Sequence, residues 1–169
     1  MTFINGFAKN PIKGMFGVDV VEPFYHFVKS TYEQNPEVWN TFWKMAVNNP
    51  VSMRLAGLAG GFNLKVTHFK DIEVYARGVA QMDLRIFMTL FEELMHFDGT
   101  GVLKTISRPT LIISGEHDNI TPKNFQENFR DSIPKAEFIL VPYGSHCTQL
   151  DFPDYVNLKL KAFWDKIEK

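Results

Sequence analysis

Two residues of the sequence have the types and the spacing to act together as an acid and a base. Asp118 lies in the segment GEHDNITP (115–122), and His146 ends the segment PYGSH (142–146), 28 residues after the aspartate. A carboxylate beside an imidazole can hold the ring in one tautomer and stabilise its protonated form, so that the histidine works as a general base. The pair therefore predicts the acid and base of a nucleophilic hydrolase.

The elements around these segments predict that the two side chains meet. The run PTLIISG (109–115) is apolar and ends in glycine, which is typical of a strand buried on both faces, and EFILVP (137–142) predicts a second buried strand. Thr121 before Pro122 predicts a helix start with the threonine hydroxyl as N-cap. The order strand, helix, strand, helix indicates parallel strands with right-handed crossovers, whose carboxyl ends lie at one edge of the sheet.

The last predicted element is a helix at the end of the chain. Its apolar residues recur at helical spacing and predict one buried face, made of Val156, Leu160, Phe163, Trp164 and Ile167. Packed on the sheet, this helix would complete the second strand–helix unit.

A long helical segment precedes these strands. Residues 2–5 predict a brief buried strand, and residues 22–98 predict helices, with Pro23 and Pro36 in first turns and Asp83 as an N-cap. Glycines at 57, 60 and 61 fit no phosphate-binding motif and predict a break between helices.

The acid and histidine loops together resemble the C-terminal end of the α/β-hydrolase fold. The pattern is Gly-x-x-Asp-x-x-x-Pro after a buried strand, followed about 28 residues later by Gly-x-His. The resemblance implies an α/β fold in which residues 1–9 hold a core strand, residues 10–100 form an inserted all-helical cap, and residues 101–169 complete the hydrolase core. The core would then have three parallel strands with flanking helices.

The same resemblance implies a reaction, and it shows that two of the family's catalytic segments have no match in this sequence. The family attacks a carbonyl with a serine on a Gly-x-Ser-x-Gly elbow, which occurs nowhere in this sequence, and the family's oxyanion-hole loop has no match either. The chain is therefore expected to be the C-terminal portion of a longer enzyme that cleaves ester-like bonds, inactive by itself. Replacing Asp118 by Asn in the intact enzyme is expected to cost orders of magnitude in turnover with little loss of stability. No cofactor or metal is implied.

The aromatic residues are unusually numerous, with 16 Phe, 5 Tyr and 3 Trp. Core packing accounts for most of them. The alternative is that some of them cover a pocket that binds an apolar acyl or alkyl group. The candidates for covering such a pocket are Phe24, Tyr25, Trp39, Phe42, Trp43, Phe87 and Phe91. Trp39, Trp43, Phe87 and Phe91 are predicted to contact the substrate.

Other candidate sites are weaker. Cys147 and Ser145 adjoin His146, but neighbours in sequence rarely face one another, so neither is predicted to be the nucleophile. His26, His68, His96 and His117 are too scattered for a metal motif.

Composition limits the partners. The net charge of −1 leaves no basic surplus for nucleic acid, and no apolar run approaches the roughly 20 residues that span a bilayer. The start has no signal-peptide pattern, and a single cysteine fits the reducing cytoplasm, where the protein is expected to lie. A small-molecule substrate is the expected partner. The alternative is a non-catalytic binding or assembly module, which would pair with another chain through an exposed sheet edge.

Overall fold

The computed structural model of the protein describes residues 1–168, and its centre is a parallel sheet. The strands are β1 (Thr2–Ile4), β2 (Leu111–Gly115) and β3 (Glu137–Val141), in the order β1-β2-β3. Ile4 lies opposite Ile113, and Gly115 lies opposite Val141. The predicted parallel pairing is confirmed.

Helices flank this sheet and fill the long connection between its first two strands. The helices between β1 and β2 are α1 (Val21–Tyr32), α2 (Pro36–Val47), α3 (Pro50–Leu58), α4 (Phe69–Gln81), α5 (Leu84–His96) and α6 (Thr100–Leu103), after a 3₁₀ turn at Met15–Gly17. After β2 come α7 (Lys123–Ser132), α8 (Thr148–Asp151) and α9 (Pro153–Ile167). Asp83 caps α5 as predicted, because its side chain accepts from the Arg85 amide at 2.7 Å.

The strand β2 is buried on both faces because a helix covers each of them. Ile112 packs in one cluster with Phe129 of α7, whereas Ile113 packs in another with Val156 and Phe163 of α9. All five residues of β2 are buried, as the apolar run predicts.

Three predictions of burial were wrong. The strand β1, predicted to be buried, is half-buried and lies at one edge of the sheet. The strand β3 is only half-buried along most of its length and has an exposed first residue, Glu137, because it lies at an edge of the sheet. In α9, Trp164 and Ile167 are 49% and 44% exposed. Val156 and Phe163 of this helix are buried, but Trp164 follows Phe163 directly and so lies about 100° further around the helix, at the border of the buried face.

The helical segment has an apolar core of its own. Tyr25 and Tyr32 of α1 pack with Leu84, Met88 and Met95 of α5, and rings from α2 and α5 cover this cluster. A second cluster joins α3 and α4 to Cys147, which lies next to His146. Among residues 1–168, no helix combines the length and the apolar character needed to cross a membrane.

Candidate active site

Asp118 and His146 lie in contact at the carboxyl-terminal edge of the sheet. The Nδ1 atom of His146 is 3.0 Å from Oδ2 of Asp118; the carboxylate is fully buried, and the imidazole side chain is 29% exposed. Within residues 1–168, Nε2 of His146 has no hydrogen-bond partner, and it is not among the buried atoms. Because Asp118 engages Nδ1, the second ring nitrogen is the one available to a reacting group.

The close approach of the two loops depends on Gly115. A Cβ atom at this position would lie 2.3 Å from the Ser145 carbonyl oxygen and 2.5 Å from that of Gly144. Beyond the sheet, the His117 amide donates to the Gly144 carbonyl at 2.8 Å. The absence of a side chain at Gly115 thus lets the acid loop and the histidine loop run side by side.

The carboxylate of Asp118 is held by five donors. Oδ1 accepts from the amides of Ile120 at 2.9 Å and Thr121 at 2.8 Å, which shapes the turn. Oδ2 accepts from the Thr121 hydroxyl at 2.6 Å and from Nε2 of Gln126 at 3.1 Å, besides facing His146. The residue therefore shapes its own loop with one oxygen and orients the imidazole with the other.

The expected N-cap role of Thr121 was wrong. The helix α7 begins at Lys123 after Pro122 and has no side-chain cap, because the Thr121 hydroxyl donates to Asp118 instead. Gln126, fully buried, also donates to the Thr121 carbonyl at 2.6 Å. Sequence reasoning missed Gln126, although its spacing to Phe129 places a polar residue on the inner face of α7.

Asn5 is a second residue that the sequence did not reveal. Its Nδ2 donates to the carbonyls of Ser145, at 3.1 Å, and His146, and to the Thr148 hydroxyl at 3.1 Å. Its Oδ1 accepts from the Gly115 amide at 2.9 Å. The buried amide thus ties the end of β1 to the end of β2 and to the histidine loop. A positive φ of 51°, which asparagine tolerates, aims it there.

Asp151 fixes the histidine loop from the other side. One carboxylate oxygen accepts from the Ser145 amide at 2.6 Å, and the other accepts from the Asn63 amide at 3.0 Å and from the Thr67 hydroxyl. Asp151 is buried, and these donors compensate for its lost hydration. It therefore connects the histidine loop to the loop between α3 and α4, which sequence reasoning did not foresee.

Backbone hydrogen bonds join the same two loops. The amides of His146 and Cys147 donate to the carbonyls of Gly60, at 3.1 Å, and Gly61, at 3.2 Å. Gly60 has a φ of 96°, and a Cβ atom there would lie 2.8 Å from the Asn119 side chain. The glycines that predict a break between helices thus also hold the backbone of the histidine.

Neither neighbour of His146 is placed as a nucleophile. Ser145 donates its hydroxyl to the Gly61 carbonyl at 3.2 Å and is buried. Cys147 is buried among Met53, Phe62 and other apolar side chains. Burial raises the pKa of the Cys147 thiol to about 12, and the nearby carboxylates add to the rise.

Cys147 is expected to resist thiol reagents in the folded protein. At pH 8, a pKa of about 12 leaves about one thiol in ten thousand as the reactive thiolate. Modification by 5,5′-dithiobis(2-nitrobenzoic acid) should be slow in native buffer and complete within minutes in guanidinium chloride. The unfolded sample controls for reagent quality. Rapid native modification would contradict the buried placement.

The four predicted substrate-contacting rings line one cavity of about 500 Å³. Trp43 and Phe87 have ring centroids 4.6 Å apart, and Phe87 stacks with Phe91 at 6.1 Å. The cavity is lined by side chains of α1 to α5 and of the loop after α3, including Phe24, Tyr25, Trp39, Phe42, Trp43, Met53, Phe62, Ile72, Ala76, Phe87, Met88 and Phe91.

The structure brings Asp118 and His146 together, and it separately brings the four rings together. It does not place the two sets in one cavity. Neither Asp118 nor His146 is among the residues that line the cavity. The cavity wall formed by Met53 and Phe62 packs in one cluster with Cys147. One shared apolar wall therefore separates the cavity from the histidine loop.

Residues 1–168 contain no group of three or more potential ligand side chains that could hold a metal ion.

Comparison of the chain with known proteins gives short sequence matches. No protein-family model matches it. A pimeloyl-[acyl-carrier protein] methyl ester esterase of Nitrosomonas europaea is 35% identical over 52 residues, which are 31% of this chain and 21% of that protein. A putative carbamate hydrolase, RutD, of Pseudomonas syringae pv. syringae is 30% identical over 67 residues, 40% of this chain and 26% of that protein.

Solved structures match nearly the whole chain. A thermophilic esterase from Thermogutta terrifontis aligns with a TM-score of 0.63 and 16% identity, over 99% of this chain and 56% of that one. An α/β-hydrolase enzyme, MGS-M2, from a Medee basin metagenome library aligns with a TM-score of 0.57 and 19% identity, over 98% and 55%. A bromoperoxidase from Bacillus anthracis aligns with a TM-score of 0.64 and 15% identity, over 97% of this chain and 57% of that one.

These likenesses define the class of the protein by its fold. The chain has the α/β-hydrolase fold, as the acid and histidine loops predict. More specifically, its three parallel strands and their helices form the C-terminal portion of that fold. The chain spans about half the length of the solved structures and about a quarter of the length of the curated relatives.

Proposed function

We propose that Asp118 and His146 are the acid and the general base of a hydrolase for ester-like bonds, whose nucleophile lies outside these 169 residues. Nε2 of His146 takes the proton of a serine hydroxyl as the serine oxygen bonds to the substrate carbonyl carbon. The imidazolium then passes this proton to the leaving oxygen as its bond to that carbon breaks. A water molecule repeats the sequence and releases the serine.

The contact between the two side chains carries this proposal. A buried carboxylate 3.0 Å from Nδ1, with the ring edge partly exposed, is the arrangement that keeps the opposite nitrogen unprotonated and ready to accept. Thr121 and Gln126 hold the carboxylate, and Asn5 and Asp151 hold the histidine loop. Both groups are therefore oriented before a substrate arrives, which favours catalysis.

The relatives support an ester-like substrate. One is named a methyl ester esterase and others are named carbamate hydrolases, and in both bond types a carbonyl carbon carries an oxygen or nitrogen leaving group. The attack of a serine on such a carbon needs no metal or organic cofactor.

The helical segment, about residues 10–100, is proposed to be a cap over the site, with residues 1–9 and 101–169 belonging to the core. Trp39, Trp43, Phe87 and Phe91 would contact the apolar part of the substrate. Two observations support this assignment: these rings line one cavity, and the wall of that cavity packs with Cys147 beside His146. A cap in this position would also exclude water from the reacting bond.

The test begins with the DNA upstream of Met1, read in frame for about 120 codons, the length of the missing half of the fold. A Gly-x-Ser-x-Gly elbow after a buried strand is expected. The joined protein, made of the upstream segment followed by these 169 residues, should then hydrolyse p-nitrophenyl esters. His146→Gln should lower its kcat by roughly 10⁴. The 169-residue chain alone serves as the inactive reference, and His117→Gln controls for loss of an exposed histidine in the same region.

A stop codon upstream, with no elbow in a neighbouring frame, would overturn the catalytic assignment. So would a joined protein whose activity survives His146→Gln. Either result would favour the second candidate, a binding module that pairs with another chain along the half-buried edge strand β1.

A further inference from the structure

Three side-chain donors meet at one oxygen of the Asp118 carboxylate. Oδ2 faces Nδ1 of His146 at 3.0 Å, accepts from the Thr121 hydroxyl at 2.6 Å and accepts from Nε2 of Gln126 at 3.1 Å. A carboxylate oxygen offers about two lone-pair directions, and the other oxygen, Oδ1, already accepts from two backbone amides. The three donors therefore share Oδ2, and each one draws on its negative charge.

Gln126 reaches this oxygen from a helix and not from the acid loop. Thr121 lies three residues after Asp118 in the same turn, whereas Gln126 lies in α7 and is fully buried. Its Nε2 also donates to the Thr121 carbonyl at 2.6 Å. Both partners are acceptors, so the side-chain amide can present only its NH₂ group to them. The orientation of the Gln126 amide is thus fixed by its two partners.

This orientation leaves the oxygen of the same amide without a partner. Within residues 1–168, Oε1 of Gln126 is buried and accepts no hydrogen bond, which is unfavourable for folding. Phe129, one turn further along the buried face of α7, packs with an apolar ring against β2. An apolar side chain at position 126 would avoid the unpaired oxygen. Packing alone therefore does not account for Gln126, whereas its contact with Asp118 does.

We infer that Gln126 is a positioning residue that limits the strength of the hydrogen bond between Asp118 and His146, because its N–H and the imidazole Nδ1–H compete for Oδ2. The inference deepens the proposed function and rests on it for any effect on turnover. A carboxylate that held the protonated ring too tightly would slow the return of the Nε2 proton to the leaving oxygen. By sharing Oδ2, Gln126 keeps the carboxylate in place and makes that proton easier to transfer.

Competition predicts that removing the Gln126 donor strengthens the bond that remains. Gln126→Met keeps an unbranched side chain of the same length and deletes the N–H. In long-range ¹H–¹⁵N spectra of the 169-residue chain, the Nδ1 signal of His146 should move downfield, as it does for a more strongly hydrogen-bonded N–H. The spectra are compared where the ring is neutral in every variant, since protonation also moves this signal. Phe129→Leu, which loosens α7 against β2 and removes no donor from Asp118, should leave the signal in place.

The same competition can be measured at Gln126. His146→Phe keeps a ring at this position and deletes the Nδ1–H, so the bond from Gln126 to Oδ2 should become stronger. One of the two side-chain amide protons of Gln126, assigned through bonds, should then move downfield. His117→Phe is the matched control, because it replaces an exposed imidazole of the acid loop that does not touch the carboxylate. This measurement needs no variant at position 126, so it decides the matter even where Gln126→Met does not fold.

Two results would overturn the inference. One is an Nδ1 signal that stays in place or moves upfield in Gln126→Met, since Gln126 would then have no effect on the pair or would strengthen it. The other is a Gln126 amide proton that does not respond to His146→Phe. Neither measurement involves a nucleophile or a substrate, so both results are independent of whether the catalytic proposal fails.

Discussion

Under the proposed function, replacing Asp118 by Asn in the joined protein is expected to lower kcat by about 10⁴. An asparagine would place either an amide NH₂ or a neutral oxygen against Nδ1 of His146. The NH₂ group needs an acceptor, so it would favour the tautomer with its proton on Nε2, which cannot accept a proton from serine. Turnover of p-nitrophenyl esters measures the loss, and near-normal turnover would contradict the role of Asp118 as the acid.

The contacts of Asp118 in the structure predict that the same substitution also lowers the free energy of unfolding. The sequence predicts little loss, but Oδ2 of Asp118 also accepts from the Thr121 hydroxyl and from Gln126. An amide nitrogen at this position would face two other donors, so we expect a loss of about 1–3 kcal/mol in the free energy of unfolding. Urea denaturation of the 169-residue chain measures it.

Asp151→Asn is the matched control for Asp118→Asn. Asp151 is another buried carboxylate at the same edge of the sheet, and it accepts from the Ser145 amide without touching the imidazole. Both variants should lose stability, whereas only Asp118→Asn should change the tautomer of His146 seen in long-range ¹H–¹⁵N spectra. If Asp151→Asn changes the tautomer equally, the effect belongs to the loop and not to the carboxylate of Asp118.

Replacing Asn5 by Ala should cost about 3–5 kcal/mol of stability. The change leaves the carbonyls of Ser145 and His146 and the amide of Gly115 without their present partner. Alanine also tolerates a φ of 51° less well than asparagine. Denaturation of the chain by urea would report the loss.

Two further variants separate the causes. Asn5→Gly relieves the backbone strain and still removes the hydrogen bonds, so it should remain several kcal/mol less stable than the unmodified chain. Asn49→Ala deletes an asparagine that makes one local cap bond, to the Val51 amide at 2.8 Å, and should cost only about 1 kcal/mol. Full stability of Asn5→Gly would contradict the assigned role of the Asn5 side chain.

The sequence predicted the contact of Asp118 with His146 because local signals define it. Each residue follows a recognisable strand, and parallel strands bring their carboxyl ends to one edge. The roles of Asn5 and Asp151 could not be predicted in this way. Asn5 binds residues 140 and more positions away, and no periodicity or motif indicates such a partner.

The burial of β3 and α9 was predicted less well than the burial of β2, because it too depends on segments distant in the sequence. An apolar run shows that a strand can be buried, but the burial of β3 depends on whether another strand pairs beyond it. The apolar spacing of α9 identifies its buried face but not the width of that face, which depends on the segments packed against it, so the exposure of Trp164 could not be predicted.

The hydrogen bond from the His146 amide to the Gly60 carbonyl couples the position of His146 to that of the loop between α3 and α4. A displacement of this loop would break that bond and would also strain the bonds that Asp151 makes to Asn63 and Ser145. Since coupling between two sites is reciprocal, a molecule in the cavity that fixed this loop would favour the present position of His146, and fixing His146 would strengthen binding of that molecule to the same degree.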